Sequence, residues 1–582
     1  MRPSIVVRPA GRRALPPRSP LEKGTLHLIS ADSRRRPFFS SCWSMIPMPR
    51  EAEVLDSYTV LGARISMLRL AGGSRHMYHM VPWEYTIPDA WMGMIRETVG
   101  VIHAMPPERM GTSMEELRQQ VVSRARELLG RMSESGEGSL PRDPMERMEN
   151  LAHLSEVIGR YTVGLGIMEI LLSDERVEDV FVDAPCSSNP VHVTLGGIGG
   201  SASVLRCPTN ITATEDELEG LASRLRQYSG KPFSQAFPVM ETDVPGFETR
   251  ATLIGPPLSP DGRAMALRRR SRSPWTLTRM IHNGTMDSMT AGLLSFLMDG
   301  SSTILIAGAR GSGKSSLLSA MLFEFPLSQR ILIIEDTAEL PVSQMQEMGF
   351  NVQSLIVEQG IGERMEIKTE EALRVSLRLG ESAIVLGEVR GREAQTLYEG
   401  MRTGRAGSSV LGTIHGDSAV SVFERVVHDM GIVPQAFGAT DVIVTMGMVR
   451  PGGSQNQVRG VMEISELAKE RGPGEFNRLG WYDPSSASLR LDLDGSETLE
   501  RIARSWGITP EEAVENVRVR ARLREMLVSF AHTKGQEYLE PRWLLRSNEF
   551  LWQGMGSESD PGCHCEDFDR WLLGRSGVEA IR

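Results

Sequence analysis

The stretch TILIAGARGSGKSSLLSAML, residues 303–322, decides the fold class of this chain. Its opening TILIA suits a short buried strand of a parallel sheet, and SLLSAML at its end predicts a helix. Between them lies GARGSGKS, residues 308–315, which matches the pattern G-x-x-x-x-G-K-[ST] in full. A strand, this loop and a helix in immediate succession predict an α/β domain with a phosphate-binding turn.

The residue types in this loop suit the binding of a triphosphate. Glycines let backbone N–H groups turn inward around the phosphates, where side chains would obstruct them. Lys314 would reach the β- and γ-phosphates and take part in catalysis, and the Ser315 hydroxyl would ligate Mg²⁺. We therefore predict ATP and Mg²⁺ as ligands. The predicted nucleotide-binding residues are Gly308, Ala309, Arg310, Gly311, Ser312, Gly313, Lys314, Ser315 and Ser316.

Acidic residues follow two apolar strands downstream of the loop. RILII at residues 330–334 runs into EDTAE at residues 335–339, and AIVLG at residues 383–387 runs into Glu388. Ligands of open α/β sheets bind beyond the carboxyl ends of the strands, so these acids should lie near the phosphates. We expect Glu339 to orient the attacking water and Glu388 to act on the Mg²⁺ side as a metal ligand, or the two acids to exchange these roles.

A third apolar run, SVLGTI at residues 409–414, leads to His415. A histidine after a strand often has only a structural role. At the sheet edge that it shares with the acids, a sensor of the γ-phosphate is the better interpretation, because the imidazole can hydrogen-bond a phosphate oxygen. Arg390, two residues beyond Glu388, is assigned the same sensing role.

The length of the chain, 582 residues, predicts several domains, since single cores usually stop growing at about 250–300 residues. Residues 1–50 are basic and lack periodicity, which predicts a disordered tail or a start site assigned too early, with the true start near Met45. The other predicted divisions are a mixed α/β region at 51–155, an α/β domain at 156–285, the P-loop domain at 286–470 and a C-terminal extension at 471–582.

One helix of the C-terminal extension is clear from the sequence. Thr509, Pro510 and Glu512 supply a capping hydroxyl, a first-turn proline and a capping-box acid in the correct register. The helix carries a row of basic residues, namely Arg518, Arg520, Arg522 and Arg524. A solvated basic face is the simpler interpretation, and a face that docks a partner is the alternative.

Composition limits the class of partner and the cell compartment. The net charge of the whole chain is −10. Residues 1–50 hold ten Arg or Lys against two acids, so residues 51–582 carry a larger negative charge than the chain as a whole. A broad nucleic-acid-binding face needs a basic stripe, so nucleic acid is not the expected partner. Five widely spaced cysteines suit a reducing cytosol, and Cys563-His564-Cys565 is either half of a metal site or a tail with free thiols.

Taken in order, these motifs resemble those of the type II/type IV secretion ATPases, hexameric motors that drive type IV pili, archaella, type II secretion and conjugation. EDTAE at residues 335–339 resembles the aspartate box of that family. GEVRGREA at residues 387–394 is similar to its atypical Walker B motif, in which glycine-glutamate replaces the usual aspartate. Residues 401–415 resemble its histidine box.

The region upstream of the loop is similar to the N-terminal, PAS-like domain of the same family, through SGKP at residues 229–232, Arg250 and Arg268 among others. The resemblance implies that Arg250 and Arg268 approach phosphates across the ring. A solvated basic patch at residues 268–270 is the alternative. Glu381-Ser382, at a position where the family often has Pro-Asp, and the C-terminal extension resemble the archaeal branch.

The resemblance also implies a fold, an assembly and a location. The fold would be α/β, with a RecA-like P-loop motor domain preceded by a smaller α/β domain and followed by an α-rich extension. The chain would form a homo-hexamer that hydrolyses ATP, acts on a polytopic membrane platform protein and, through it, on pilin-like subunits. It would be cytoplasmic and peripheral at the inner face of the cell membrane.

Two other functions fit part of the pattern. A nucleic-acid translocase also combines a phosphate loop with a ring, but the acidic body and the glycine-glutamate Walker B motif argue against it. A non-catalytic scaffold gated by nucleotide would suit the long termini, but the catalytic acids are all present in the sequence.

Overall fold

The computed structural model describes residues 34–70, 75–104, 114–134, 141, 143–196, 203–244, 246–269, 273–357, 369–380, 382–391, 393–402, 409–450, 453, 457–485, 488–554 and 561–576. The chain divides into two compact units, one of Met1–Val193 with Arg206–Arg269 and the other of Thr194–Leu205 with Arg270–Arg582. The predicted boundary after residue 155 therefore falls inside the first unit, and the predicted boundary after residue 285 falls inside the second.

Strands and helices alternate irregularly up to Arg269. In chain order they are β1 Arg34–Arg35, β2 Trp43–Met45, β3 Glu53–Val60, β4 Ala63–Arg69, β5 His76–Val81, α1 Asp89–Ala104, α2 Met114–Glu134, α3 Pro144–Thr162, α4 Met168–Ser173, β6 Val177–Val182, β7 Pro190–Gly196, β8 Ser203–Thr212, α5 Glu215–Ser229, β9 Val239–Val244, β10 Thr249–Ile254 and β11 Ala264–Arg269.

The elements of the first unit follow local sequence signals. α5 begins where the Thr214 side chain accepts a hydrogen bond from the Glu217 N–H, and it ends at Gly230 in the left-handed conformation with φ of 66°. Strands β9, β10, β11 and β6 pair in that order, each antiparallel to the next. The predicted strand at residues 177–182 and the predicted helix from residue 215 are both present.

The predicted tail is folded over part of its length. β1 pairs with β2, and Trp43 of β2 lies opposite Thr212 of β8. The side chains of Cys42 and Ser44 are fully buried. The expectation of disorder is therefore wrong for residues 34–50, because these residues gain sheet and core contacts from distant parts of the unit. Residues 1–33 of the predicted tail lie outside the described residues.

From residue 277 onward, strands and helices alternate along much of the chain. They are α6 Leu277–His282, α7 Ser288–Asp299, β12 Ile304–Gly308, α8 Lys314–Leu322, β13 Arg330–Glu335, α9 Val342–Glu347, β14 Asn351–Ile356, α10 Thr369–Ser376, β15 Ala383–Leu386, α11 Glu393–Arg402, β16 Val410–Ile414, α12 Ala419–Glu424, α13 Pro434–Phe437, β17 Val442–Val449, β18 Gln457–Leu467, β19 Phe476–Asp483, β20 Ser488–Leu491, α14 Glu497–Trp506, α15 Pro510–Lys534, α16 Pro541–Gly554 and α17 Pro561–Ser576.

The strands of the second unit form one sheet in the order β14-β13-β15-β16-β12-β17-β18-β19-β20. The six strands from β14 to β17 are parallel, and the last three pair antiparallel. β12, which leads into the phosphate loop, lies between β16 and β17, so β16 separates it from β15. This order is that of a RecA-like P-loop domain, and the predicted fold class is confirmed.

The C-terminal helices share the core of the P-loop domain. Leu499, Ile502, Val517 and Leu544 lie in the same apolar cluster as Ile304 of β12. The predicted capping box of α15 is present, since Thr509 and Glu512 exchange side-chain and backbone hydrogen bonds. Among the described residues, no helix is both long enough and apolar enough to cross a bilayer.

The prediction that the four arginines of α15 form a solvated face is wrong for two of them. Arg520 and Arg524 are completely buried, whereas Arg518 and Arg522 are exposed. Residues two apart in a helix point to nearly opposite sides, so the four arginines never shared one face. The buried pair contacts acids on α7 and just beyond α8.

Candidate active site

The phosphate loop joins β12 to α8 in a conformation that only glycine can adopt at its entrance. Gly308 has a φ of 152°, and a Cβ built there would lie 2.5 Å from both the Met446 carbonyl oxygen and the Ser312 Oγ. Gly311 and Gly313 have φ values of 80° and 98°. Because the backbone turns through these positive φ values, it can present its N–H groups to one side of the turn.

Side chains of the loop hold this turn together. Lys314 Nζ donates hydrogen bonds to the carbonyl oxygens of Gly308 and Ala309, both at 2.9 Å. The buried Ser312 hydroxyl donates to the Ala309 carbonyl, also at 2.9 Å. Ser315 and Ser316 lie in the first turn of α8 and are half-buried, and Ala309 and Arg310 are exposed. The lysine and the first-turn hydroxyl thus lie where α8 begins, the end of a helix that favours anions.

Three acids lie at the end of β13 and just beyond it. Glu335, the last residue of the strand, is buried, whereas Asp336 and Glu339 are exposed. The buried Glu335 carboxylate accepts hydrogen bonds from the backbone N–H of Glu339 at 2.8 Å and of Leu340 at 3.0 Å. It therefore fixes the turn that follows the strand. Asp336 pairs with the guanidinium of Arg390, and the Glu339 side chain is exposed.

The residues after β15 and β16 form a chain of charged contacts with this segment. Glu388 Oε2 lies 3.3 Å from Arg390 Nε, and Glu388 Oε1 lies 3.2 Å from His415 Nε2. Through Arg390 this chain continues to Asp336. We call Asp336, Arg390, Glu388 and His415 the edge network, because all four follow the carboxyl ends of parallel strands. Within the part of the chain that the structure describes, Glu339 forms no hydrogen bond or ion pair with the edge network.

Two further contacts fix the loop that carries Glu388. Glu393 Oε1 accepts hydrogen bonds from the backbone N–H of Arg390 and of Gly391, both at 2.7 Å. The Thr413 hydroxyl donates to the Gly387 carbonyl at 2.5 Å, which ties β15 to β16 at the level of the site. Sequence reasoning missed Glu393 as a site residue, although an acid three positions after Arg390 at the start of α11 is a recognisable loop-closing signal.

The structure also brings a residue from outside the motifs to the loop. Arg459 of β18 donates a hydrogen bond from Nε to the Gly311 carbonyl at 2.9 Å. Nothing in the sequence around Arg459 indicates this contact, because it depends on the pairing of β18 with β17 and not on any local pattern.

Arg250 and Arg268 lie on the first unit, at directly paired positions of β10 and β11. In the same row of the sheet, Arg250 faces Asp243 of β9 and Arg268 faces Asp179 of β6. Arg250 Nη2 also lies 2.5 Å from Glu241 Oε2. The two arginines are thus adjacent to each other in the sheet, and their role at phosphates across the ring stays a prediction.

The residues at the loop and at the edge network suit Mg²⁺ bound together with a nucleotide. Among the described residues, no group of three or more His, Cys, Asp or Glu could hold a metal ion. Mg²⁺ does not need such a group, since it usually keeps several waters and binds through one or two protein oxygens plus phosphates. The Ser315 hydroxyl and the Glu388 carboxylate supply oxygens of this kind.

Comparison with known proteins gives the family. A model described as type II/IV secretion system protein matches residues 249–481. The protein MJ0900 of Methanocaldococcus jannaschii is 27% identical over 386 residues, which cover 64% of this chain and 66% of that protein. Rv3659c of Mycobacterium tuberculosis, whose name assigns it to conjugal transfer, is 32% identical over 282 residues, or 48% of this chain and 76% of that protein.

A solved structure, that of the Legionella pneumophila ATPase DotB, matches with 16% identity and a TM-score of 0.38 over 70% of this chain and 95% of that one. The chain spans just under two thirds of the length of MJ0900. These relatives are archaeal and bacterial, and membership of the archaeal branch stays a prediction. The family match includes the phosphate loop and every residue of the edge network, and a relative 32% identical is covered over 76% of its length. The chain belongs to the type II/IV secretion system protein family.

Proposed function

We propose that this protein is an ATP-hydrolysing motor. The observation that carries the proposal is the arrangement in the second unit, where a complete phosphate loop and the edge network follow the carboxyl ends of neighbouring parallel strands. Phosphoryl transfer requires mainly positioning and charge stabilisation from the protein, and these residues supply both. Membership of the type II/IV secretion system protein family supports the same activity.

The triphosphate would lie on the N-terminal end of α8. The backbone N–H groups of residues 308–315 would surround its phosphates, and Lys314 would leave its carbonyl partners to contact the β- and γ-phosphates. The hydrogen bonds of Lys314 to Gly308 and Ala309 are to neutral carbonyls, so exchanging them for charged phosphate oxygens is favourable.

Ser315 and Glu388 would hold Mg²⁺, which neutralises charge on the phosphates when it is bound. Glu388 is held by Arg390 and His415, so its carboxylate is oriented from two sides. His415 and Arg390 are then placed to respond to the γ-phosphate, because any group that draws Glu388 away changes their contacts. Glu339, an exposed acid four residues beyond the carboxyl end of β13, is the candidate to orient the attacking water.

A ring of identical subunits, a hexamer by resemblance, would complete the site. We assign Arg250 and Arg268 to the phosphates of nucleotide bound by a neighbouring copy. Placing two arginines directly opposite each other in a sheet is destabilising unless anions lie nearby. Asp243, Asp179 and Glu241 partly neutralise them in the described chain, and phosphate oxygens would add to this.

The output of the motor would be movement of a partner at the membrane. We infer a location in the cytoplasm, peripheral to the inner face of the membrane, where a polytopic platform protein would receive the force. Through that platform the motor would assemble pilin-like subunits into filaments or drive secretion. Changes at the γ-phosphate would bias a domain closure, which is a common way for nucleotide state to become movement.

Replacing Lys314 tests the activity. We expect Lys314→Ala to lower kcat for ATP at least about 100-fold, because the charge at the transferred phosphate is lost. Lys534→Ala is the matched control, since Lys534 is an exposed lysine at the end of α15 in the same unit. Circular dichroism and the unfolding temperature should be unchanged in both variants. Normal turnover in Lys314→Ala would contradict the proposal, and strong, salt-dependent stimulation by DNA would indicate a nucleic-acid translocase instead.

A further inference from the structure

Arg459 is brought to the phosphate loop by the pairing of strands. β17 runs parallel to β12, with Met446 opposite Gly308, and β18 runs antiparallel to β17, with Arg459 opposite Met448. Arg459 is therefore held beside the end of β12, where the loop begins. It is separated from Gly311 by 148 residues in the sequence, so only the sheet places the two together.

The Arg459 side chain lies against the loop at Gly311 and Gly313. Its Cδ would lie 3.8 Å from a Cβ built at Gly313, and its Nε donates to the Gly311 carbonyl oxygen at 2.9 Å. A Cβ built at Gly311 would meet no described atom within 4 Å. The space on the Cβ side of Gly311 is open, and the hydrogen bond from Arg459 is a specific restraint on this residue.

The direction of this bond matters for anion binding. A phosphate loop works when its N–H groups point inward and its carbonyl oxygens point outward, since an inward carbonyl would repel the phosphate. Glycine at φ of 80° can rotate its peptide groups with little steric resistance. Because its Nε donates to the Gly311 carbonyl oxygen, the Arg459 guanidinium fixes the direction of that peptide group and adds positive charge to the loop.

We propose that Arg459 is a positioning residue for the polyphosphate of the nucleotide, acting through the backbone of Gly311. This inference rests on the proposed function. Arg459 acts on the shape of the loop and not on the transferred phosphate, so it stabilises bound diphosphate and triphosphate alike. Such uniform binding changes KM and leaves kcat nearly unchanged.

The test measures binding and turnover in the full-length protein. The variants are Arg459→Ala, Arg459→Lys and the control Arg478→Ala, which removes an exposed arginine from the neighbouring strand β19. The probes are fluorescent Mg·ADP and a non-hydrolysable ATP analogue. We expect Arg459→Ala to raise both dissociation constants roughly five- to tenfold, the loss typical of one hydrogen bond, with KM rising in step and kcat within about twofold. Arg459→Lys should fall between Arg459→Ala and the unmodified protein, and Arg478→Ala should match the unmodified protein.

Hydrogen exchange supplies a second measurement that does not depend on turnover. Without nucleotide, amides of residues 308–315 should exchange faster in Arg459→Ala than in the unmodified protein, while β13 should be unchanged. Unaltered dissociation constants in both Arg459 variants, with Lys314→Ala still losing turnover, would overturn this inference and leave the proposed function standing. A loss of kcat with unchanged affinity would also overturn it. If the unmodified protein binds neither probe, the proposed function and this inference both fail.

Discussion

Two networks of charged side chains lie in the second unit, and each contains ion pairs between arginine and a carboxylate, but the two differ in solvent exposure. In the edge network the exposed fractions are 34% for Asp336, 47% for Arg390, 25% for Glu388 and 39% for His415. In the second network, which we call the base network, Arg524 and Glu324 are both 0% exposed. The base network further includes Arg520, Asp299, Ser295 and Asn548.

Each side chain of the base network has at least two hydrogen-bond partners. Arg524 pairs with Glu324 and also donates to Ser295 Oγ at 2.5 Å and to Asn548 Oδ1 at 2.8 Å. Asn548 Nδ2 donates in turn to Glu324 at 3.0 Å, and Arg520 pairs with Asp299 at 2.5 Å. Burial lowers the pKa of Arg520, and the Asp299 charge counteracts part of that effect. Buried charges are tolerated only when they are paired and hydrogen-bonded this fully.

The difference shows how one domain divides its charged residues between catalysis and structure. The edge network is partly solvated, so water compensates any contact that breaks, and its members can turn toward a ligand at small cost. The base network is in a low dielectric, where an unpaired charge is costly. Glu324 follows the end of α8, while Arg524 and Asn548 lie on α15 and α16. The C-terminal helices therefore anchor the far end of the helix whose first turn carries Lys314 and Ser315.

The largest effect should come from breaking the base network. We expect Arg524→Met to lower the free energy of unfolding by about 3–5 kcal/mol, because Glu324 would remain buried without its partner. Arg518→Met is the control on the same helix, since the pair of Arg518 with Glu515 is exposed and contributes little. Denaturant unfolding monitored by circular dichroism gives both values.

The same comparison can be sharpened with a double variant. Glu324→Leu combined with Arg524→Met should recover part of the lost stability, because apolar residues then replace both charges. Equal free energies of unfolding for Arg524→Met and Arg518→Met would show that the buried pair of Arg524 with Glu324 contributes no more to stability than an exposed pair.

An intermediate effect, on turnover and not on stability, is expected in the edge network. Glu388→Gln should lower kcat by about 10²–10³-fold through loss of the carboxylate at the reacting phosphate, while the free energy of unfolding changes by less than about 0.5 kcal/mol. Glu347→Gln, an exposed acid at the end of α9, is the control. Steady-state ATP hydrolysis and denaturant unfolding on the same preparations test it. A large loss of stability in Glu388→Gln would remove the contrast between the two networks.

The smallest effect is expected at Asp336. Asp336→Asn removes one exposed ion pair of Arg390, and Arg390 retains its contact with Glu388. The free energy of unfolding should therefore change by less than about 1 kcal/mol, and kcat by only a few-fold. Raising the salt concentration should narrow any difference from the unmodified protein, because exposed charges are screened. A difference that persists at high salt would show that Asp336 acts as part of a desolvated site.

Sequence reasoning succeeded where the signal lies within one short segment. β12, the loop and α8 are consecutive, so the loop around Gly313 and Lys314 could be predicted without knowing any distant contact. The acids after β13 and β15 and His415 after β16 were also predicted to share one edge, since parallel strands place their carboxyl ends together. The roles of these residues in hydrolysis stay predictions until they are measured.

Other features depend on contacts that no local pattern reveals. The sequence of α15 shows four arginines at alternate positions, but their burial depends on which side of the helix meets α7 and α8. Residues 34–50 look like a tail because their partners lie far along the chain. The roles of Glu335 and Glu339 likewise follow from the direction in which each side chain turns, which a run of acids does not specify.

By itself the sequence determined the fold class, the phosphate loop and the edge at which the site lies, because strand periodicity, glycine conformation and helix capping are local properties. Only the tertiary structure decided that Arg459 supports Gly311, that Glu388 lies between Arg390 and His415, and that Arg524 is buried against Glu324. Side-chain contact and solvent exposure depend on how separate segments pack, and these can lie more than a hundred residues apart, as do Arg459 and Gly311 at a separation of 148 residues and Arg524 and Glu324 at 200.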